Sequence, residues 1–279
     1  MGSRQMGSDP IYPIYHDALG AAHRRAAAGA RIACLVPSIT ELVCALGLGP
    51  QLVARTGFCV HPRDEVERVP KVGGTKDLNF ERLRALAPTH VILNIDENRK
   101  PDGARVAEFV PHLVVTHPIT PRDNLALYRL IGGIFGRVSQ AEDLCGRFEV
   151  ALAAVESACR ALAPRRVLYL IWKDPWMTVS RDTYIARTLA LAGWHVAHAE
   201  STARYPEIDL DGAVREADLL LLSTEPFCFT ERHAAELRAR YPGKQVALID
   251  GEMTSWYGPR AITGLGYLPE LRHQLDAAV

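Results

Sequence analysis

Cys59 and His61 stand two residues apart in the segment GFCVHP, a thiol beside an imidazole. A thiol attacks as a thiolate held by a positioned base, and adjacency along the chain does not create that geometry. The chain has no GxSxG elbow, so no catalytic residue is assigned. A packed Cys59 with His61 capping a loop is the expected arrangement. The tetrapeptide GGTK (73–76) lacks the spacing of a phosphate loop. It reads as a tight turn in which glycine lets backbone approach a neighbour closely. The ten histidines are spread without an HExxH or paired CxxC pattern. A bare transition-metal cage would have to draw on Cys59, His61, His117, Glu97 and Glu225, and no metal site is assigned.

Aromatic residues give the clearer signal. Trp172 and Trp176 lie in IWKDPWM, Phe227 and Phe229 in EPFCF, and Trp256 and Tyr257 in SWYGPR. Pro175, Pro226 and Pro259 stiffen these polar loops, so the rings are held at little entropic cost. Flat aromatic walls with a few polar groups suit a large, rigid, partly apolar ligand. The competing reading has the same rings sealing the edges of a core. Asp96, Glu97, Asp174, Glu225 and Glu252 occupy the same loops. Nothing in the sequence brings two of them to a set distance, so they read as hydrogen-bond acceptors or docking charges rather than an acid/base pair.

These loops need elements to position them. Short apolar runs at 31–36, 51–55, 90–95, 112–116, 166–171, 195–196, 218–223 and 245–249 alternate with amphipathic stretches. That alternation predicts an α/β protein with two Rossmann-like lobes of parallel sheet covered by helices. Ser38 and Glu41 have the spacing of a capping box, with the helix ending at Gly47 or Gly49. Between 121 and 162 the pattern is helical throughout, and Ser139 is placed to cap a helix about 30 Å long. The expected partition is an N-terminal extension (1–30, with residues 1–8 resembling a tag remnant), a first α/β lobe (31–138), one long connecting helix (139–163) and a second α/β lobe (164–279). One large sheet with a long crossover helix is the alternative. In parallel sheets, ligands sit beyond the carboxyl ends of the strands, where the unusual residues collect.

Composition narrows the function classes. Hydrophobic residues make up 48% of the 279 residues, and Lys+Arg balance Asp+Glu at 32 each. A neutral chain without basic runs has no general pull toward nucleic acid or an anionic membrane surface. No stretch approaches the ~18–20 apolar residues of a membrane span, so no membrane insertion is expected. The N-terminus, MGSRQMGSDP, lacks a basic segment followed by an apolar one and does not read as a secretory signal. The six scattered cysteines form no disulfide framework and favour a reducing compartment.

The segments RIACLVPSITELVCALGLG, GGTKDLNFERLRALAPTHVIL, WMTVSRDTYIARTLALAGW and DGEMTSWYGPRAI together resemble the helical-backbone metal receptor family. These are the vitamin B12- and siderophore-binding substrate-binding proteins of ABC transporters, and the cobalamin-binding branch is the nearest. The similarity runs from about Asp17 to the C-terminus. It implies two α/β lobes bridged by one helix and closing on a small-molecule ligand, a corrinoid or another metal chelate, with an ABC permease as partner and no tightly bound cofactor. It implies a binding protein, not an enzyme. By motif, Pro37 and Ser38 would line the first lobe, with Thr75 and Lys76 of GGTK and Glu97 and Asn98 of NIDENRK beside them, near Phe58 and Cys59. Trp172, Trp176, Tyr184, Trp256 and Tyr257 would line the second, joined by Glu225 and Phe227. The resemblance implies the periplasm; the N-terminus and the cysteines keep the cytoplasm open. A cytoplasmic relative binding a polar metabolite or a bare metal ion, as sensor or enzyme, is the alternative function.

Overall fold

A computed structural model of the protein describes residues 13–197 and 200–277. The expected tag remnant at 1–8 falls outside them. The chain forms two compact units. One comprises the residues through His117 together with Arg129–Ala141; the other comprises Pro118–Tyr128 and the residues from Glu142 onward.

In the first unit, a two-residue ribbon, β1 (Tyr15–His16) with β2 (Ala22–His23), precedes the sheet. The sheet is built from β3 (Ile32–Cys34), β4 (Leu52–Arg55), β5 (His90–Asn94) and β6 (His112–Thr116) in the order β4-β3-β5-β6, all parallel. Ile32, Ala33, Cys34, Val91 and Ile92 have no exposed surface. Strands covered on both faces favour such uninterrupted apolar runs. Helices α1 (Pro37–Ala45), α2 (Arg63–Val66), α3 (Phe80–Ala85) and α4 (Lys100–Ala107) connect the strands. Residues 13–30, expected as an extension, are tied to this unit: the Asp17 carboxylate accepts from the Val115 N–H at 2.9 Å.

Two further helices follow, α5 (Asp123–Ile134) and α6 (Val138–Cys159). In α6, Leu144, Phe148, Leu152, Val155 and Cys159 are buried, at the spacing of one helix face. The helix begins one residue before Ser139, and the Arg137 carbonyl accepts the Ala141 N–H. Arg137 therefore holds the cap position expected for Ser139. Relative to the expected partition, 118–128 pack with the second unit and 129–141 with the first.

The second unit repeats the plan. Its parallel sheet has the order β10-β9-β7-β8, from β7 (Arg165–Leu170), β8 (Trp194–Val196), β9 (Leu219–Ser223) and β10 (Gln245–Ile249). Its helices are α7 (Tyr184–Ala190), α8 (Leu210–Arg215), α9 (Glu231–Arg240), α10 (Gly251–Ser255) and α11 (Pro259–Ala277). Leu220 and Leu222 of β9 pack with Leu168, Leu170, Val214, Phe229 and Leu237 in one core. Burying each such side chain contributes ~1.5–3 kcal/mol.

The start of α1 departs from expectation. Pro37 is its first residue, Val36 precedes it as the cap without a side-chain bond, and Ser38 lies inside the first turn. Proline suits that position because its missing N–H would be unpaired there anyway. The end of α1 is as expected. Gly47, at φ +72°, lets its own N–H reach the Cys44 carbonyl and the Leu48 N–H reach the Val43 carbonyl. This pair of bonds closes the helix in a Schellman cap. Among the described residues, no helix is long and apolar enough to cross a membrane.

Candidate functional site

In the first unit, the loops leaving the carboxyl ends of β3, β4 and β5 hold the expected residues, and polar side chains knit them together. The Asn98 amide donates to the Thr75 carbonyl at 3.0 Å and the Leu35 carbonyl at 3.3 Å, and accepts from the Asn94 N–H at 2.9 Å. Asn98 thus ties three loops and is itself buried. Arg55, also buried, donates to the carbonyls of Val66, Thr56 and Cys59. The Cys59 sulfur lies 3.1 Å from both the Thr40 and Thr56 hydroxyls, and burial pushes its thiol pKa up. An activated nucleophile needs the opposite shift, so Cys59 is packed, as expected.

Pro37 and Ser38 are buried at the head of α1. The Ser38 side chain is 2% exposed, and its hydroxyl makes no hydrogen bond among the described residues. Phe58 is 64% exposed and its ring lies against Gly74, where an added Cβ would come within 3.2 Å. Gly73, at φ +100°, faces the Asp77 carbonyl, so the close approach inferred for GGTK is made within its own turn. Lys76 is exposed, while Thr75 and Glu97 are half-buried. Val60 and Ile95, which the sequence reading passed over, add exposed apolar surface to the same loops. Each sits just past a strand end, and that position was the available signal.

In the second unit, the loops after the paired strands β7 and β9 carry a run of touching rings. Trp172 meets Phe227 edge-on at 5.7 Å, Phe227 meets Phe229 at 4.6 Å, and Phe229 stacks with Trp176 at 6.0 Å. The backbone fixes the arrangement. Ile171 and Met177 close the first loop on itself, and the Phe227 N–H donates to the Ile171 carbonyl, joining the two loops. Phe229 is buried as the root of the group, Trp176 and Phe227 are half-buried, and Trp172 is 40% exposed at its outer end. Lys173 lies over Trp176 and pairs with Glu236. His233 packs edge-on against both phenylalanines, and its Nδ1 accepts the Thr230 N–H at 3.0 Å. That bond places the imidazole proton on Nε2, so the ring offers no lone pair outward. Nothing in the spacing of His233 had marked it.

The other residues expected in this unit are spent internally. Tyr184 is buried, receives the Asn124 amide at 2.9 Å and meets Tyr257 edge-on at 5.1 Å. Trp256 is buried and donates its indole N–H to Glu225 at 2.7 Å, an oxygen also bonded by the Ser255 hydroxyl. Burial raises the Glu225 pKa, while those two bonds pull it back. Gly251 is required beside it: a Cβ there would fall 2.4 Å from the Glu225 Cγ. Asp96 pairs with His117 at 3.5 Å. No group of three or more His, Cys, Asp and Glu able to hold a metal ion occurs among the described residues.

Residues 32–232 match the model of a family described as periplasmic binding protein. A vitamin B12-binding protein of Pectobacterium atrosepticum is 25% identical over 190 residues, covering 66% of this chain and 68% of that protein. Among solved structures, the periplasmic vitamin B12 binding protein BtuF of Vibrio cholerae superposes with a TM-score of 0.77 at 18% identity, covering 88% of this chain and 97% of that one. The periplasmic heme-binding protein RhuT of Roseiflexus sp. RS-1 superposes with a TM-score of 0.76 at 22% identity, covering 88% and 98%. Both likenesses are of fold, two α/β units each built on a parallel sheet.

Proposed function

Because the chain belongs to the periplasmic binding protein family, a family of solute-binding proteins rather than enzymes, we propose that its solute is a corrinoid or a similar flat metal chelate. One observation carries this reading: the ring group Trp172–Phe227–Phe229–Trp176, open to solvent at Trp172, at the carboxyl ends of β7 and β9. Such rings offer apolar area and a π face without the entropic cost of flexible side chains. Exposed Phe58, Val60 and Ile95 offer similar apolar area at the corresponding strand ends of the first unit. The vitamin B12- and heme-binding names of the similar proteins accord with a ligand of this size and flatness.

The polar-metabolite alternative leans on the loop acids. It is weakened at Glu225, where one carboxylate oxygen is taken by both Trp256 and Ser255. In the proposed role the protein hands its ligand to an ABC-type permease in the periplasm, a reading that the description of its family as periplasmic binding protein supports.

The test is a titration of the purified protein, followed by tryptophan emission, with cyanocobalamin, cobinamide, haemin, a ferric siderophore and Zn²⁺. Saturable quenching by a corrinoid or haemin is expected. Trp172→Ala should weaken it about tenfold or more, since an aromatic contact and its buried area together are worth ~1.4 kcal/mol or more. Unchanged emission across the panel, or quenching by Zn²⁺ alone, would sink the reading.

A further inference from the structure

A cavity lies at the other edge of the first unit's sheet, away from the loops just described. It has a volume of about 650 Å³ and opens beside Ala30 and Gln51, which lie just before β3 and β4, and beside Phe135–Arg137, the link between α5 and α6. Two guanidinium groups line it, those of Arg25 and Arg137, and no acidic residue does.

Both arginines are fixed by the fold. The Ala26 N–H donates to the Ile134 carbonyl at 2.7 Å and anchors the segment carrying Arg25 to the end of α5. The Arg25 guanidinium then lies flat on Gly136, where an added Cβ would come 2.8 Å from its Nε. Gly136 has φ +67°, so it supplies both the turn and the room. Arg137 occupies the cap of α6, and the helix dipole adds a partial positive charge at that end.

An ordinary structural role would give the half-buried Arg137 a partner. A guanidinium near the end of α5 would donate to its last carbonyls, or pair with a carboxylate. Among the described residues, neither Arg25 nor Arg137 forms an ion pair or a side-chain hydrogen bond, and the Arg137 Nε is buried without an acceptor. A buried donor left unpaired costs on the order of 1–3 kcal/mol, and two cations sharing a cavity without a counter-charge repel each other.

We propose that this cavity is a second binding site, for a small oxyanion: the phosphate or carboxylate group of a metabolite, held by Arg25 and Arg137. A guanidinium fork matches the paired oxygens of either group. Gln51 also lines the cavity and can add an amide donor, and Phe135 lines it beside an apolar remainder.

Calorimetric titration of the full chain with inorganic phosphate and, separately, with succinate tests this, both against sodium chloride of equal ionic strength. Saturable binding of one equivalent of at least one of the two is expected, and which of them binds identifies the group. Arg25→Gln, at an exposed position, and Arg137→Gln should each weaken it about tenfold or more. Arg25→Lys, which keeps the charge and loses the fork, should fall between. Heats no different from the chloride control for both ligands would overturn the proposal, as would Gln variants that bind like the wild type while keeping its circular dichroism spectrum. No chelate enters the experiment, so its outcome is independent of the reading above.

Discussion

His90 opens β5 in the first unit's sheet, buried, with its Nδ1 2.9 Å from the Thr89 hydroxyl, its ring stacked on His112 at 4.6 Å and edge-on to Phe135 at 5.1 Å. Burial first, then the neighbouring His112 and His23, lower its pKa from 6.5 to about 4. The folded form therefore holds His90 neutral where the unfolded chain would protonate it. Its contribution to stability is full above about pH 6.5 and is lost as pH falls toward 4, since the unfolded state binds the extra proton in that window. A difference of that size is worth on the order of 3 kcal/mol across the window. His90→Gln should therefore flatten the fall of the unfolding midpoint between pH 7 and pH 4.5, as measured by thermal melts in matched buffers. An unchanged slope in the variant would show that other groups set it. Residue types had shown which side chains could act, but not which would be consumed. Cys59 reads as packed because its adjacency to His61 does not make a nucleophile–base pair, and it is buried. Tyr184, Trp256 and Glu225 read equally well as ligand wall or as core. Their hydrogen bonds come from residues 30 to 60 positions away, which no local pattern reveals.

Secondary structure was legible because its causes are local. The apolar runs at 112–116 and 245–249 coincide with β6 and β10 to the residue, and the other strands of the two four-stranded sheets differ by a residue or two at their ends, while the ribbon β1–β2 was not foreseen. The caps were less legible: Ser38 and Ser139 have the right chemistry but lie a residue or more inside their helices, because Pro37 and Val138 already start the turn. Gly47 was legible, since only a left-handed residue closes a helix in that way. Its Cβ position is open, with nothing within 4 Å, so Gly47→Ala tests the backbone alone. It should lower stability by roughly 1 kcal/mol by denaturant titration, with the slope unchanged. A neutral result would mean that the cap tolerates a side chain at φ +72°.

At the scale of the molecule, two α/β units were foreseeable from the repeated alternation of strands and helices. The path between them was not. The chain passes from one unit to the other after His117, again after Tyr128 and a third time after Ala141. The helical pattern of α5 and α6 runs through two of those points without a break. The first unit takes Ile131, Ile134 and Phe135 from its detached piece, all of them buried. Each such side chain contributes ~1.5–3 kcal/mol, a large part of the ~5–15 kcal/mol net stability of a domain. A fragment ending at His117 should therefore melt without a cooperative transition, whereas one ending at Ala141 should show it; cooperative melting of the shorter piece would refute this account. The same threading orders events during synthesis. As the nascent chain emerges, residues 118–128 must pass by, destined for a unit whose strands have not yet been made, before the first unit can close. At ~5–20 residues per second, its sheet waits about one to four seconds for its last three apolar anchors.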